Sequence, residues 1–150
     1  MNLMLDANDL SALSPAQKSA IVDSLVLMVA VDRKIEPGEI EVFNAEMRRI
    51  PWGLDPAMID MLVERARIRV KCTLDRLHWQ SWVKELAMSI TAPALREKVL
   101  GTMSKIAINT GKVDDTERGL LNAFAGAFEI PMDRLAELRL QIVNDKLAKT

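Results

Sequence analysis

Cysteine is nearly absent from this 150-residue sequence, which contains only Cys72. One cysteine excludes an internal disulfide framework and any zinc site built from several cysteines, and it is typical of a reducing compartment. Histidine also occurs once, as His78, and the single Asp75–His78 pair is more typical of a helix surface than of a metal site. The sequence has no glycine loop that would cradle a phosphate and no nucleophile elbow. Nothing therefore indicates a phosphotransferase or a hydrolase.

Net charge and long apolar runs are lacking as well. Lys and Arg number 20 against 21 Asp and Glu, so no strong field would attract a polyanion, and we expect no nucleic-acid partner. The longest apolar run, residues 25–31, is far shorter than the ~20 residues that cross a bilayer. We expect no membrane span, with peripheral membrane association only through a partner. The N-terminus shows no basic segment of a secretory signal, which predicts a cytoplasmic location.

Helix start signals recur along the whole chain. Each is a proline or a capping residue that precedes apolar residues spaced by three and four. They occur at Ser14-Pro15, Glu36-Pro37, Asp55-Pro56, Pro93, Asp114 and Pro131. With one further helix through residues 77–90, these signals predict an all-α single domain of about seven helices over residues 14–150. Residues 1–13 are expected to be an N-terminal extension with room for a short helix.

Buried faces are predicted from the same spacing. In the last helix the predicted buried stripe is Leu135, Leu138, Ile142 and Leu147. Met58, Met61, Met88 and Met103 are expected on inner faces as core filler, although an exposed methionine-rich groove for a partner is the alternative.

A short phrase occurs twice, as KIEPGE at residues 34–39 and KVDDTE at residues 112–117. Residues 27–43 align with residues 105–121 at an offset of 78, and past Ile50 the offset becomes 76. The sequence thus predicts two pseudo-repeated halves, each with a helix, an acidic turn, a helix, a turn and a helix.

The two acidic turns have two interpretations. In the capping interpretation, an acidic residue before a helix and a glutamate three residues later accept hydrogen bonds from the free amides of the first turn. As a ligand set, hard oxygen donors could hold Ca²⁺ or Mg²⁺ weakly if the two turns lie together. The candidate donors are Asp32, Glu36, Glu39, Asp114, Asp115 and Glu117. An EF-hand is excluded because its first ligand positions would be Met28 and Ala30.

The segments AVDRKIEPGE at residues 30–39 and AINTGKVDDTE at residues 107–117 resemble the repeated motif of the TerB family. This family comprises tellurite-resistance proteins and a related domain of certain membrane-anchored J-domain co-chaperones, and the resemblance covers roughly residues 14–147. It implies a seven-helix all-α fold, a stress-response role with partner proteins, and divalent metal on an acidic surface. Carried over to this chain, the metal ligands would be Asp32, Glu39, Asp114 and Glu117.

A partner surface is predicted where basic and aromatic residues concentrate. Its candidate residues are Arg69, Arg76, Trp79 and Trp82. The resulting hypothesis is a non-enzymatic interaction module that needs no cofactor and binds a protein partner. The alternatives are an enzyme with a carboxylate-bound metal and a purely structural scaffold subunit whose face is the region of Trp52, Trp79 and Trp82.

The capping interpretation predicts the effect of a Glu39→Gln/Glu117→Gln double variant. We expect its free energy of unfolding to fall by about 1 kcal/mol, because the first turn of a helix favours a carboxylate. Denaturant unfolding measures this loss. Calorimetric titration of Ca²⁺ and Mg²⁺ into chelator-stripped protein tests the alternative. Saturable heat in the wild type that disappears in the folded variant would contradict the capping interpretation and identify the turns as a ligand set.

Overall fold

The computed structural model describes residues 5–30, 37–72, 76–109 and 115–148, and this part of the chain folds into eight α-helices with no strand. The helices are α1 (Ala7–Ser11), α2 (Pro15–Ala30), α3 (Pro37–Arg49), α4 (Pro56–Cys72), α5 (Arg76–Ser89), α6 (Pro93–Asn109), α7 (Asp115–Ala127) and α8 (Met132–Ala148). The prediction of an all-α single domain is confirmed. The seven predicted helices are α2 to α8, and α1 lies in the N-terminal extension.

Local capping signals set the helix starts. Ser14 and Gln17 form the predicted capping box, in which Gln17 N donates to Ser14 Oγ at 3.2 Å and Ser14 N donates to Gln17 Oε1 at 3.0 Å. Before α4, the Asp55 carboxylate accepts a hydrogen bond from Ala57 N. Asp6 and Asp9 make a second capping box at α1. These interactions involve neighbours in sequence, which is why the sequence predicted most of them.

Helix α2 is the centre of the fold. Ten of its sixteen residues are buried, and they are distributed around the helix rather than along one stripe. A helix that is apolar on all sides has to be covered on all sides. Accordingly, α2 packs against α4, α5, α6 and α7.

The long helices pack in the order α4, α2, α6, α8, because α2 contacts α4 and α6, and α6 contacts α8. Helices α5 and α7 contact each other, and both contact α2. Helix α3 contacts α6, where Glu46 and Lys105 form a largely buried ion pair with an N–O distance of 3.2 Å. Helices α4 and α8 therefore form the two outer edges of the row.

The helix starts repeat along the chain. Pro93 at the start of α6 lies 78 residues after Pro15 of α2, and Asp115 of α7 lies 78 residues after Pro37 of α3. Met132 of α8 lies 76 residues after Pro56 of α4. These intervals are the two offsets of the sequence repeat. The structural equivalence of the two halves stays a prediction.

Four side chains that were expected inside lie on the surface. Met58, Met61 and Met88 are exposed, and of the four methionines assigned to inner faces only Met103 is buried. In α8, Leu135, Leu138 and Ile142 face the core as predicted, but Leu147 is exposed. The helical period was right in each case. The side of the helix predicted to be buried was wrong, because a helix with two apolar sides buries only the side that meets a neighbour.

Arg96 in the first turn of α6 joins the ends of two other helices. Its guanidinium donates to the carbonyl oxygens of Ala87 (2.8 Å) and Ile90 at the end of α5, and to that of Phe128 (3.2 Å) after α7. The guanidinium carbon also lies 5.4 Å from the centre of the Phe128 ring. The last carbonyls of a helix have no partner within it, so Arg96 supplies partners for two helices at once.

The cost of losing Arg96 is testable. We expect Arg96→Ala to lower the free energy of unfolding by about 2–3 kcal/mol, because three partly buried carbonyls lose a charged donor. Arg96→Lys should recover only part of this loss, since an ammonium cannot span carbonyls on two helices as a planar fork does. Chemical denaturation measures both changes.

Arg134 provides a matched control in α8. Its guanidinium bonds to Glu97 at 2.7 Å and to Glu137 at 2.9 Å near the surface, and ion pairs that remain this accessible to water contribute about 1 kcal/mol or less. Equal losses for Arg96→Ala and Arg134→Ala would contradict the joining role of Arg96.

Candidate functional site

The six acidic candidates lie at or before two helix starts. Asp32, Glu36 and Asp114 are outside the residues that the structure describes. Glu39, Asp115 and Glu117 lie in the first turns of α3 and α7, but their side chains are likewise outside the described part. Within that part, no group of three or more acidic, cysteine or histidine side chains could hold a metal ion. Weak Ca²⁺ or Mg²⁺ binding by the two turns stays a prediction.

The predicted tryptophan surface is partly internal. Trp82 is only 3% exposed and lies in the core, and Trp52 is also buried. The indole Nε1 of Trp52 donates to the carbonyl oxygen of Met47 at 3.0 Å, which fixes its ring against α3. The indole Nε1 of Trp82 has no hydrogen-bond partner in the described structure. The side chains of Trp79 and Arg76 are outside the described part.

Arg69 covers Trp82 from the outside. The guanidinium carbon of Arg69 lies 4.3 Å from the centre of the Trp82 ring, and a terminal nitrogen of Arg69 bonds to Glu85 at 2.8 Å. Two of the four predicted surface residues thus contact each other. Their contact closes the junction between α4 and α5 and leaves the face of the indole unavailable to a partner, so the prediction of Trp82 as an exposed contact is wrong.

Asp23 was not singled out from the sequence. It is the one charged residue within the buried part of α2, and burial raises the pKa of its carboxyl to about 6 although Arg69 and Arg65 oppose the shift. The sequence signal was a lone aspartate beside a long apolar run. Only the packing of α4 over α2 shows that this carboxyl is half-buried.

A crevice of about 340 Å³ opens between the end of α3 and the start of α4. Its walls are mainly apolar, with Trp52 and Ile59 among them, and Arg48 and Asp60 are its two charged residues. The volume is in the range of small-molecule sites. Because the two charges have opposite sign, the crevice favours no one class of ligand, and we assign it no role.

Both edge helices carry an apolar stripe that faces solvent. In α8 this stripe is Met132, Ala136, Leu140, Val143 and Leu147, and in α4 it is Met58, Met61, Ile68 and Cys72. Leu140 and Leu147 are 62% and 66% exposed, and Met61 and Ile68 are 57% and 53% exposed. Each stripe lies opposite the side of its helix that packs on the core. Apolar side chains that face solvent in a row of this kind are typical of protein-binding sites.

The α8 stripe is continuous along the helix. Its residues follow one another at intervals of four, four, three and four, which places all five on one side over four turns. The neighbouring charges of α8 include both signs, with Arg139 on one side of the stripe and Glu137 on the other. The spacing matches the contact seam that one helix presents to another.

Comparison with known proteins identifies one relationship. A family model described as "Tellurite resistance protein TerB" matches residues 16–140, which is most of the chain. No curated protein and no solved structure is significantly similar to it. None of the described helices is long and apolar enough to cross a membrane.

The burial of Asp23 predicts a pH dependence of stability. Because the pKa of its carboxyl is higher in the folded chain than in the unfolded chain, folding takes up a proton between pH 4 and 6, and the stability that the protonated form contributes is lost as pH rises through about 6. After allowance for solvent screening, we expect a fall of about 1–2 kcal/mol over this range.

Asp23→Asn should remove that component. Urea unfolding of the wild type and of Asp23→Asn at pH 4.5 and pH 7 measures the difference in slope. The same change in both proteins between these pH values would show that Asp23 is not its source.

Proposed function

Since the chain belongs to the TerB family, we propose that it is a non-catalytic interaction module that acts in a stress response such as tellurite resistance, and that a protein partner binds to α8. The observation that carries the proposal is the solvent-facing stripe of α8, defined above. Leu140 and Leu147 are the most exposed of its large side chains.

The physical support is the cost of leaving this stripe in water. Burying an apolar side chain of this size against a partner stabilises a complex by up to about 1.5–3 kcal/mol. The inner side of α8 is already engaged, since Leu135, Leu138 and Ile142 pack on the core. A partner can therefore cover the outer side without unfolding the helix.

The spacing of the stripe favours one kind of partner. Seam residues at intervals of three and four receive the side chains of an adjoining amphipathic helix as knobs in holes. Leu135, Leu138 and Ile142 hold α8 on the core, and Arg134 adds an ion pair to Glu97 of α6 at 2.7 Å. Such a helix would meet a preformed surface, which lowers the entropic cost of binding.

The proposal predicts the behaviour of Leu140→Glu in the organism that produces the protein. In a strain lacking the gene, we expect wild-type protein to restore growth on tellurite and Leu140→Glu to fail, because a buried unpaired carboxylate would oppose docking. Met88→Glu is the matched control, since Met88 is 79% exposed and lies on a different helix, α5. It should restore growth fully.

Two controls make the result decisive. Thermal unfolding should show that Leu140→Glu is as folded as Met88→Glu, and a photo-crosslinking amino acid at position 140 should capture one specific protein that position 88 does not. Full growth with Leu140→Glu would overturn the assignment of α8 as the docking surface.

A further inference from the structure

Helix α4 has two apolar sides. Ile59, Ala66 and Val70 face the core, whereas Met58, Met61, Ile68 and Cys72 are exposed on the opposite side. Arg65 is also exposed and lies within the same stripe. We call the four exposed apolar residues together with Arg65 the α4 stripe. It is separate from the α8 surface because α4 and α8 are the opposite ends of the helical row.

The spacing of the α4 stripe is that of a helix-pairing seam. Residues 58, 61, 65, 68 and 72 follow one another at intervals of three, four, three and four, so they line one side of α4. Seams with this alternation pack against a second helix that crosses at a shallow angle. A helix is therefore the expected occupant.

The charges beside the stripe indicate what that helix is. Glu64 and Lys71 lie on the same flank of the stripe and are seven residues apart, which is two helical turns. Glu64 makes an exposed bond to Arg67 at 3.4 Å, and Lys71 makes no ion pair with the residues that the structure describes. A partner with a cation opposite Glu64 and an anion opposite Lys71 would be complementary.

A second copy of α4 in antiparallel orientation has these charges in these places. With Met61 opposite Cys72 and Arg65 opposite Ile68 of the second copy, Glu64 lies next to Lys71 of the second copy. The two-fold symmetry repeats each of these contacts, so the pairing is self-complementary. The long stem of Arg65 would pack on Ile68 while its guanidinium stays in water.

A parallel pair is less favourable. It would place Arg65 of the two copies against each other in the seam, where like charges repel. It would also rely on Arg69 to pair with Glu64, but Arg69 is engaged by Glu85 and by the Trp82 ring. An anionic membrane is disfavoured as well, because Asp60 and Glu64 lie on the half of α4 that carries both exposed methionines.

We propose that the protein forms a homodimer through an antiparallel pair of α4 helices, with Glu64 of each copy bound to Lys71 of the other. One helix pair buries less than the ~800 Å² per partner of a standard interface. We therefore expect a weak dimer, with a Kd on the order of 10–100 µM.

Cysteine cross-linking tests the register, because Cys72 is the only native cysteine. In the antiparallel pair the two Cys72 residues would be eleven residues apart along the axis, about 16 Å, which is beyond disulfide reach. We expect mild oxidation to leave the wild type and Met61→Cys/Cys72→Ala monomeric on a denaturing gel. Met61→Cys with Cys72 retained should form covalent dimers.

Met88→Cys with Cys72 retained is the matched control, since Met88 is exposed on another helix. It should not form covalent dimers above the background of the wild type. Efficient cross-linking of wild-type Cys72 would indicate a parallel or different pairing and would overturn the proposal. Equal cross-linking of the Met61→Cys and Met88→Cys proteins would overturn it too.

Charge exchange tests the pairing energy by sedimentation equilibrium between about 1 and 500 µM, a range that spans the Kd expected of an interface this small. We expect Glu64→Lys and Lys71→Glu each to weaken the dimer at least tenfold, because each places like charges together twice. The Glu64→Lys/Lys71→Glu double variant should return the Kd to within about threefold of the wild type, since it restores opposite charges.

Leu140→Glu separates this inference from the proposed function. It should leave the dimer unchanged while preventing partner docking on α8. The α4 charge variants should weaken the dimer and leave partner docking unchanged, with docking compared at protein concentrations where the wild type is monomeric. A wild type that stays monomeric up to 500 µM would overturn the proposal, as would single charge variants that dimerise as well as the wild type.

Discussion

The burial of α2 on every side is the constraint on which the rest of the fold depends. A helix that presents apolar residues all around its axis is stable in water only when other elements surround it. Helices α4, α5, α6 and α7 supply this cover, and α6 in turn positions α3 and α8. The same constraint draws the Asp23 carboxyl partly out of water, because its helix has no side that remains fully solvated. The raised pKa of the Asp23 carboxyl is thus a consequence of packing.

The order of the helices gives the domain two free edges. Interior helices such as α2 and α6 find neighbours on both sides, whereas α4 and α8 have a neighbour on one side and water on the other. Both edge helices nevertheless carry apolar residues on the side that faces solvent. Because the two edges are far apart in the packing order, self-association at one need not block partner binding at the other. Such an arrangement would let one dimer hold two copies of a partner.

Sequence reasoning succeeded where the determining contacts are local. Pro15, Pro56 and Pro93 mark helix starts because the fixed φ angle of proline and the neighbouring caps act within one turn. It failed where distant contacts decide: Trp82 is buried because α4 and Arg69 lie over it, and Met61 is exposed because none of the described helices lies beside it. The helical period gives the angle between side chains but does not show which side meets a neighbour. The clamp that Arg96 forms between the ends of α5 and α7 could not be predicted from the sequence either, since its acceptors lie up to 32 residues away in sequence.

The clamp by Arg96 has a consequence for how the molecule opens. The carbonyls of Ala87, Ile90 and Phe128 belong to the ends of two helices, yet a single guanidinium satisfies them together. When one of these ends frays, Arg96 loses part of its anchorage, and the other end is then held less firmly. Local unfolding of α5 and α7 is therefore coupled at this corner, and amide protons near both ends should exchange with solvent as one cooperative unit.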